Sequence, residues 1–140
     1  MTRKGSSKAA DKTFGDGRLA MAKAFLKAAQ NEMELIADGD IGNPIISLIV
    51  HSAIAYADAL ISKFAGRVNR QDHSGAIKAL RAALGNRLPD EQERRLGRIL
   101  SEKDAAEYGA RVKRKSEAVR LLADLEKFAA WAELELTRFR

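Results

Sequence analysis

The chain is 140 residues long, with 46% hydrophobic and 31% charged residues, the mixture expected of one ordinary globular domain. It has no cysteine and only two histidines, which excludes a disulfide framework, a thiolate zinc site and a cysteine nucleophile, so no metal or cofactor is expected. With 25 basic against 19 acidic residues the formal charge is +6, which favours polyanions or acidic partners.

Residues 1–15 carry Gly, Ser and Lys without periodicity and read as a flexible basic tail, followed by a helical domain over 16–140. The basic N-terminus is not followed by an apolar stretch of the kind a secretory signal needs, so a cytoplasmic protein is expected. Asp16 or Gly17 opens a helix to about Asp38, with Ala22, Phe25, Leu26, Ala29, Met33 and Ile36 on one face. Asn43-Pro44 then reads as an N-cap followed by proline at the first helical position. The helix from Pro44 to Ala65 is apolar nearly all round and should be the most buried element. His51 and Asp58 interrupt its longest apolar run, which falls short of the ~20 residues of a bilayer span, so no membrane segment is expected.

Asp72 caps a shorter helix that closes at Gly85. Pro89 with Asp90, Glu91 and Glu93 starts another, with Gly109 as its stop. Ser116 caps the last helix, whose stripe is Val119, Leu122, Leu125, Phe128, Ala132, Leu136 and Phe139. No segment alternates as a strand would. The expectation is an all-α fold, an antiparallel bundle of four long helices plus a short one.

Three groups of residues carry chemistry. Ser47, His51, Asp58 and Ser62, at spacings of four, seven and four, form a polar stripe on the greasy second helix. His51 and Asp58 are about 10 Å apart along the axis, so each needs a partner from a neighbouring helix, as a core network or as part of a cleft. Arg67, Arg70, Asp72 and His73 come next: arginine can hold phosphoryl charge and histidine can move a proton near neutral pH, or Asp72 simply caps a helix. Lys103, Asp104, Glu107, Tyr108 and Arg111 form the third group, leading into Lys113, Arg114 and Lys115, a solvated loop or a phosphate contact. There is no glycine-rich phosphate loop, nucleophile elbow or histidine–carboxylate metal motif.

The stretches NPIISLIVHSAIAYADALI, DHSGAIKAL, KDAAEYG and KSEAVRLLADLEKFAAWAE, in that order, resemble a HEPN domain. The resemblance implies an up-down helical bundle, commonly a homodimer, working in RNA metabolism, in toxin–antitoxin or defence systems, or beside a nucleotidyltransferase-type partner. Active members are metal-independent ribonucleases with an arginine, four to six intervening residues and a histidine near the start of a late helix. In KDAAEYG the corresponding place holds Lys103 and Tyr108, without histidine. Arg67 and His73 meet the spacing, with five residues between them, in an earlier loop.

The first reading is therefore a protein that binds RNA, a nucleotide or a partner protein through a basic cleft at a homodimer. His51 and Asp58 would organise that cleft, Asp72 and His73 would border it, and Arg67, Lys103 and Arg111 would face the anion, with Tyr108 also among the site residues. The second reading is a ribonuclease using Arg67 and His73, and the third a helical interaction module with no anion site.

Overall fold

A computed structural model describes residues 3–68, 73–107, 109 and 111–138, and the side chains of these except 3–11, 73–74 and 106–107. All regular structure in them is helical: α1 (Arg3–Leu35), α2 (Asn43–Ala65), α3 (His73–Leu84) with a 3-10 turn at Gly85–Arg87, α4 (Asp90–Leu100), α5 (Lys103–Glu107) and α6 (Lys115–Arg138). Among the described residues the one β-type pairing is an isolated bridge between Ile41 and Arg114.

α1 opens at Arg3, so 3–15 continue the helix expected to start at Asp16 or Gly17. Ala9 and Ala10 between Lys8 and Lys12 are strong helix formers, and no proline interrupts the segment. Gly15 does not end the helix because it serves a crossing: a Cβ there would stand 2.9 Å from the Ser62 hydroxyl of α2. Further along the same pair, Arg18 bonds Asp58, Ser52 donates to the Ala22 carbonyl at 2.8 Å, and Phe25 meets His51. Residue numbers fall on one helix as they rise on the other, so α1 and α2 are antiparallel.

α2 is the core. Thirteen of its 23 residues are buried, among them Ile45, Ile46, Ile49, Tyr56, Leu60 and Ile61. By length and composition alone α2 reaches the range of a membrane span, further than its interrupted sequence implies, yet it is mostly buried inside the protein. Its two ends differ from each other. Gly66, at φ 63, closes the C-terminus in the left-handed region by donating its N–H to the Ser62 carbonyl. At the N-terminus the expected Asn43 cap is absent: the cap position is Gly42, with no side-chain bond. Asn43 instead spends its amide on a distant loop, accepting the Lys113 N–H at 2.8 Å and donating to the Arg111 carbonyl at 3.2 Å.

The helix expected from Pro89 to Gly109 is broken in two. Ser101 turns its hydroxyl onto the Arg98 carbonyl, and the Glu102 N–H bonds back to Ile99, a tighter turn that ends α4. Gly109 still acts as a stop, its N–H reaching the Asp104 carbonyl. α6 buries Ala118, Leu121, Leu122, Leu125, Phe128, Ala129, Ala132 and Glu135. The expected Val119 faces outward at 47% exposure, because the buried face is rotated by one position at the helix start. Tyr56 to Glu133 and the approach of Gly42 to Ala118 set α6 parallel to α2, while Gln30 to Glu126 and Ile36 to Lys115 set it antiparallel to α1. Arg98 to Asp124 and Lys113 to Glu102 close α4 and its following turn onto the start of α6.

A Cβ on Gly42 would lie 2.7 Å from the backbone oxygen of Arg114, whereas one on Gly39 meets nothing within 4 Å. Gly42→Ala should therefore cost about 1–3 kcal/mol through forced displacement of a backbone contact, while Gly39→Ala is neutral or slightly stabilising. Denaturant midpoints for the two variants check this.

Candidate functional site

The polar stripe of α2 is built against α1. Asp58 is only 12% exposed at its side chain and pairs with Arg18 Nε at 3.1 Å. Burial pushes the Asp58 carboxyl above its ordinary value, and the Arg18 guanidinium opposes this without cancelling it. His51 is exposed and lies over Phe25, with ring centroids 5.4 Å apart. His51 and Asp58 thus engage different α1 residues rather than organising one cleft. Sequence reading missed a short, half-buried polar contact of α2, the Tyr56 hydroxyl donating to a Glu133 carboxylate oxygen at 2.5 Å. Burial first and Glu133 second raise the Tyr56 phenol far above its usual range, so it acts as a fixed donor.

Arg67 is exposed just past Gly66, at the C-terminal end of α2. His73 is the first residue of α3, and its side chain lies outside the described residues, as do Asp72, Arg70 and Tyr108. Lys103 begins α5, next to Glu102, and Arg111 lies where Asn43 grips its carbonyl, so both belong to the N-terminal end of α2. At 1.5 Å per residue, the ends marked by Asn43 and Gly66 are roughly 35 Å apart. Within one chain Arg67 and Arg111 therefore do not face a common anion.

What gathers at the Asn43 end is a group of cations around Glu117. Lys113 is buried, at 4% exposure, and bonds Glu102 at 2.9 Å with Glu117 4.0 Å away. Arg111 reaches Glu117 at 3.6 Å from an exposed position. The Arg114 N–H donates to the Glu117 carboxylate at 2.8 Å, the reciprocal half of a capping box, in place of the expected Ser116 cap. That N–H bond, followed by Lys113, Arg111 and Arg120, holds the Glu117 carboxyl below its ordinary value. Beside it a cavity of about 480 Å³ opens between α4 and α6, with Ile46 and Leu121 among its apolar lining and Arg98, Ser101, Glu102 and Arg120 among its polar lining. Arg98 is committed to Asp124 by two bonds of 3.0 Å.

The roles of Lys113 and Glu117 were hidden in the sequence, because a run of alternating basic residues does not say which member turns inward. No family model matches this sequence, and no curated protein does.

Asp58 and Glu117 give opposite pH signs. With a raised folded pKa, Asp58 takes up its proton in the folded chain first, so its ionisation penalty is relieved as pH falls through that value towards 3.8. Wild type should then gain stability relative to Asp58→Asn on acidification over that interval. With a lowered folded pKa, the Glu117 contribution is full above 4.5 and is lost as pH falls through the folded value. Glu117→Gln should therefore be destabilising at neutral pH, with the difference vanishing in acid. Thermal melts of the three proteins across a pH series read both signs.

Proposed function

We propose that this chain is a HEPN-like helical protein that binds single-stranded RNA through the basic surface at the N-terminal end of α2. One observation carries the reading: Arg111, Lys113 and Arg120 surround a single carboxylate, Glu117, which is also tied down by the Arg114 N–H. Lys113 is met chiefly by Glu102, and the other two cations, Arg111 and Arg120, exceed what Glu117 alone neutralises and are exposed. The mutual senses of α1, α2 and α6, with α4 closing back on α6, support the up-down arrangement that the resemblance implies.

The chemistry suits a phosphate backbone better than a base. Guanidinium groups offer forked donors to phosphate oxygens. No aromatic side chain lines the adjoining cavity for base stacking. Binding should accordingly tolerate many sequences and depend steeply on salt, because each phosphate contact releases counterions. Lys103 supplies a further cation at the same end, whereas Arg67 follows Gly66 at the other end of α2 and takes no part.

Titrating fluorescent single-stranded RNA at several salt concentrations tests this. Arg111→Glu combined with Arg120→Glu should weaken binding at least about tenfold at low salt and lower the salt slope by about 2. Unchanged affinity, or binding indifferent to salt, would overturn the assignment. In chelator the RNA should remain intact. Cleavage that disappears in His73→Ala would put the ribonuclease reading in its place.

A further inference from the structure

The basic surface at the Asn43 end does not stop at the cavity between α4 and α6. Arg98, Arg120 and Asp124 line that cavity, and the last two also begin a row along α6. Arg120, Asp124, Lys127 and Trp131 follow one another at spacings of four, three and four, so they stand on one helical face. α4 runs along this face in the opposite direction, with Arg98 on Asp124 and Glu102, just past the end of α4, on Lys113. The row therefore leads from the C-terminal end of α4 back towards its beginning. At 1.5 Å per residue, Arg120 to Trp131 covers roughly 16 Å.

Positive charge is left over along this seam. Asp124 serves both Arg98, through two bonds of 3.0 Å, and Arg95, at 3.9 Å. Arg95 takes a second carboxylate, Glu91, at 3.1 Å. Arg94, one turn before Arg98, and Lys127 are exposed and form no ion pair among the described residues. Trp131 ends the row. It is half-buried, and its ring meets the fully buried Phe128 with centroids 5.6 Å apart and planes tilted by 48°. The core thus holds the indole in place while part of it stays open to solvent.

We propose that a bound single strand runs from the Asn43 end down this seam, its phosphates against Arg120 and Lys127 and one of its bases stacked on Trp131. This rests on the RNA-binding reading and adds to it a direction and a base contact. The cavity itself holds no aromatic ring, so the base contact comes one step further along the strand. An anchored aromatic ring beside a row of cations is the combination that holds single strands, the cations tracking the backbone and the ring taking a base. A duplex keeps its bases stacked on each other and would meet the cations alone. Stacking also leaves the tolerance for many sequences intact, because every base has a π-face.

Trp131 is the only tryptophan of the chain, so its fluorescence reports this position alone. Titrating the full chain with single-stranded oligoadenylate should quench it in step with binding. Inorganic polyphosphate, which has charge but no bases, should bind in a salt-dependent way and leave the emission nearly unchanged. Trp131→Ala should weaken oligoadenylate binding at least about fivefold with the salt slope unaltered, and Trp131→Phe should recover most of that loss. Lys127→Gln should lower the salt slope by about 1. Circular dichroism checks that the helices of each variant are intact, and if Trp131→Ala does not fold, wild-type quenching and Lys127→Gln decide. Absence of quenching at saturating oligoadenylate, equal quenching by polyphosphate, or wild-type affinity in Trp131→Ala would each overturn the proposal. If any of these comes with RNA binding that Arg111→Glu and Arg120→Glu together still weaken, the seam is wrong and the basic surface at the Asn43 end stands. If the wild-type chain binds no RNA at all, both fall.

Discussion

The organisation of the Asn43 end of the molecule depends on one side-chain amide. Asn43 begins the core helix α2, and its two polar atoms grip the loop before α6 at Arg111 and Lys113. The Gly42 N–H bonds the Lys113 carbonyl beside it, and the absence of a Cβ lets the Arg114 carbonyl approach. These contacts fix where a run of basic residues emerges from the bundle, and hence which of them face water. With its backbone held, Lys113 turns inward to Glu102, while Arg111 and Arg114 remain outside. A buried lysine is tolerated only because carboxylates meet it. The basic surface is therefore a product of the stitching as much as of composition.

The remainder of the molecule packs around α2 behind that end. α2 is surrounded: α1 packs along it through the close approach of Gly15 to Ser62 and the half-buried Arg18–Asp58 pair, and α6 packs through Tyr56 and Glu133. Arg81 ties α3, the turn after it and α4 together through the Gly85 and Leu88 carbonyls, Glu93 and Asp90. Polar contacts of this kind between helices cost little when fully satisfied and are expensive to leave half made.

The helical class was legible because apolar residues recur at three- and four-residue intervals, and Gly66, Gly85, Pro89 and Gly109 marked boundaries close to where they occur. What sequence could not reveal were choices made over long separations. Asn43 has a strong local preference to cap its own helix, and the structure overrides it for a partner about 70 residues away. Just past the break at Ser101, Glu102 meets Lys113, a contact that no local pattern encodes. Asp58 visibly needed a partner, but only the antiparallel register of α1 against α2 says that it is Arg18. The candidate anion-binding residues were legible as types, and the separation of Arg67 from Arg111 by the length of α2 was not, since that depends on which helix each loop leaves.

The Asn43 contact also sets an order of events during assembly. α1 and α2 are sequence neighbours and can zip into a hairpin early, with a short closing loop and little entropy lost. The grip on Lys113 closes a far longer span and awaits the arrival of α6. A nascent or partly opened chain would thus hold its greasy central helix half covered, with the cationic turn still unshaped. On the proposed reading, the shaped basic surface would form only with that last docking step.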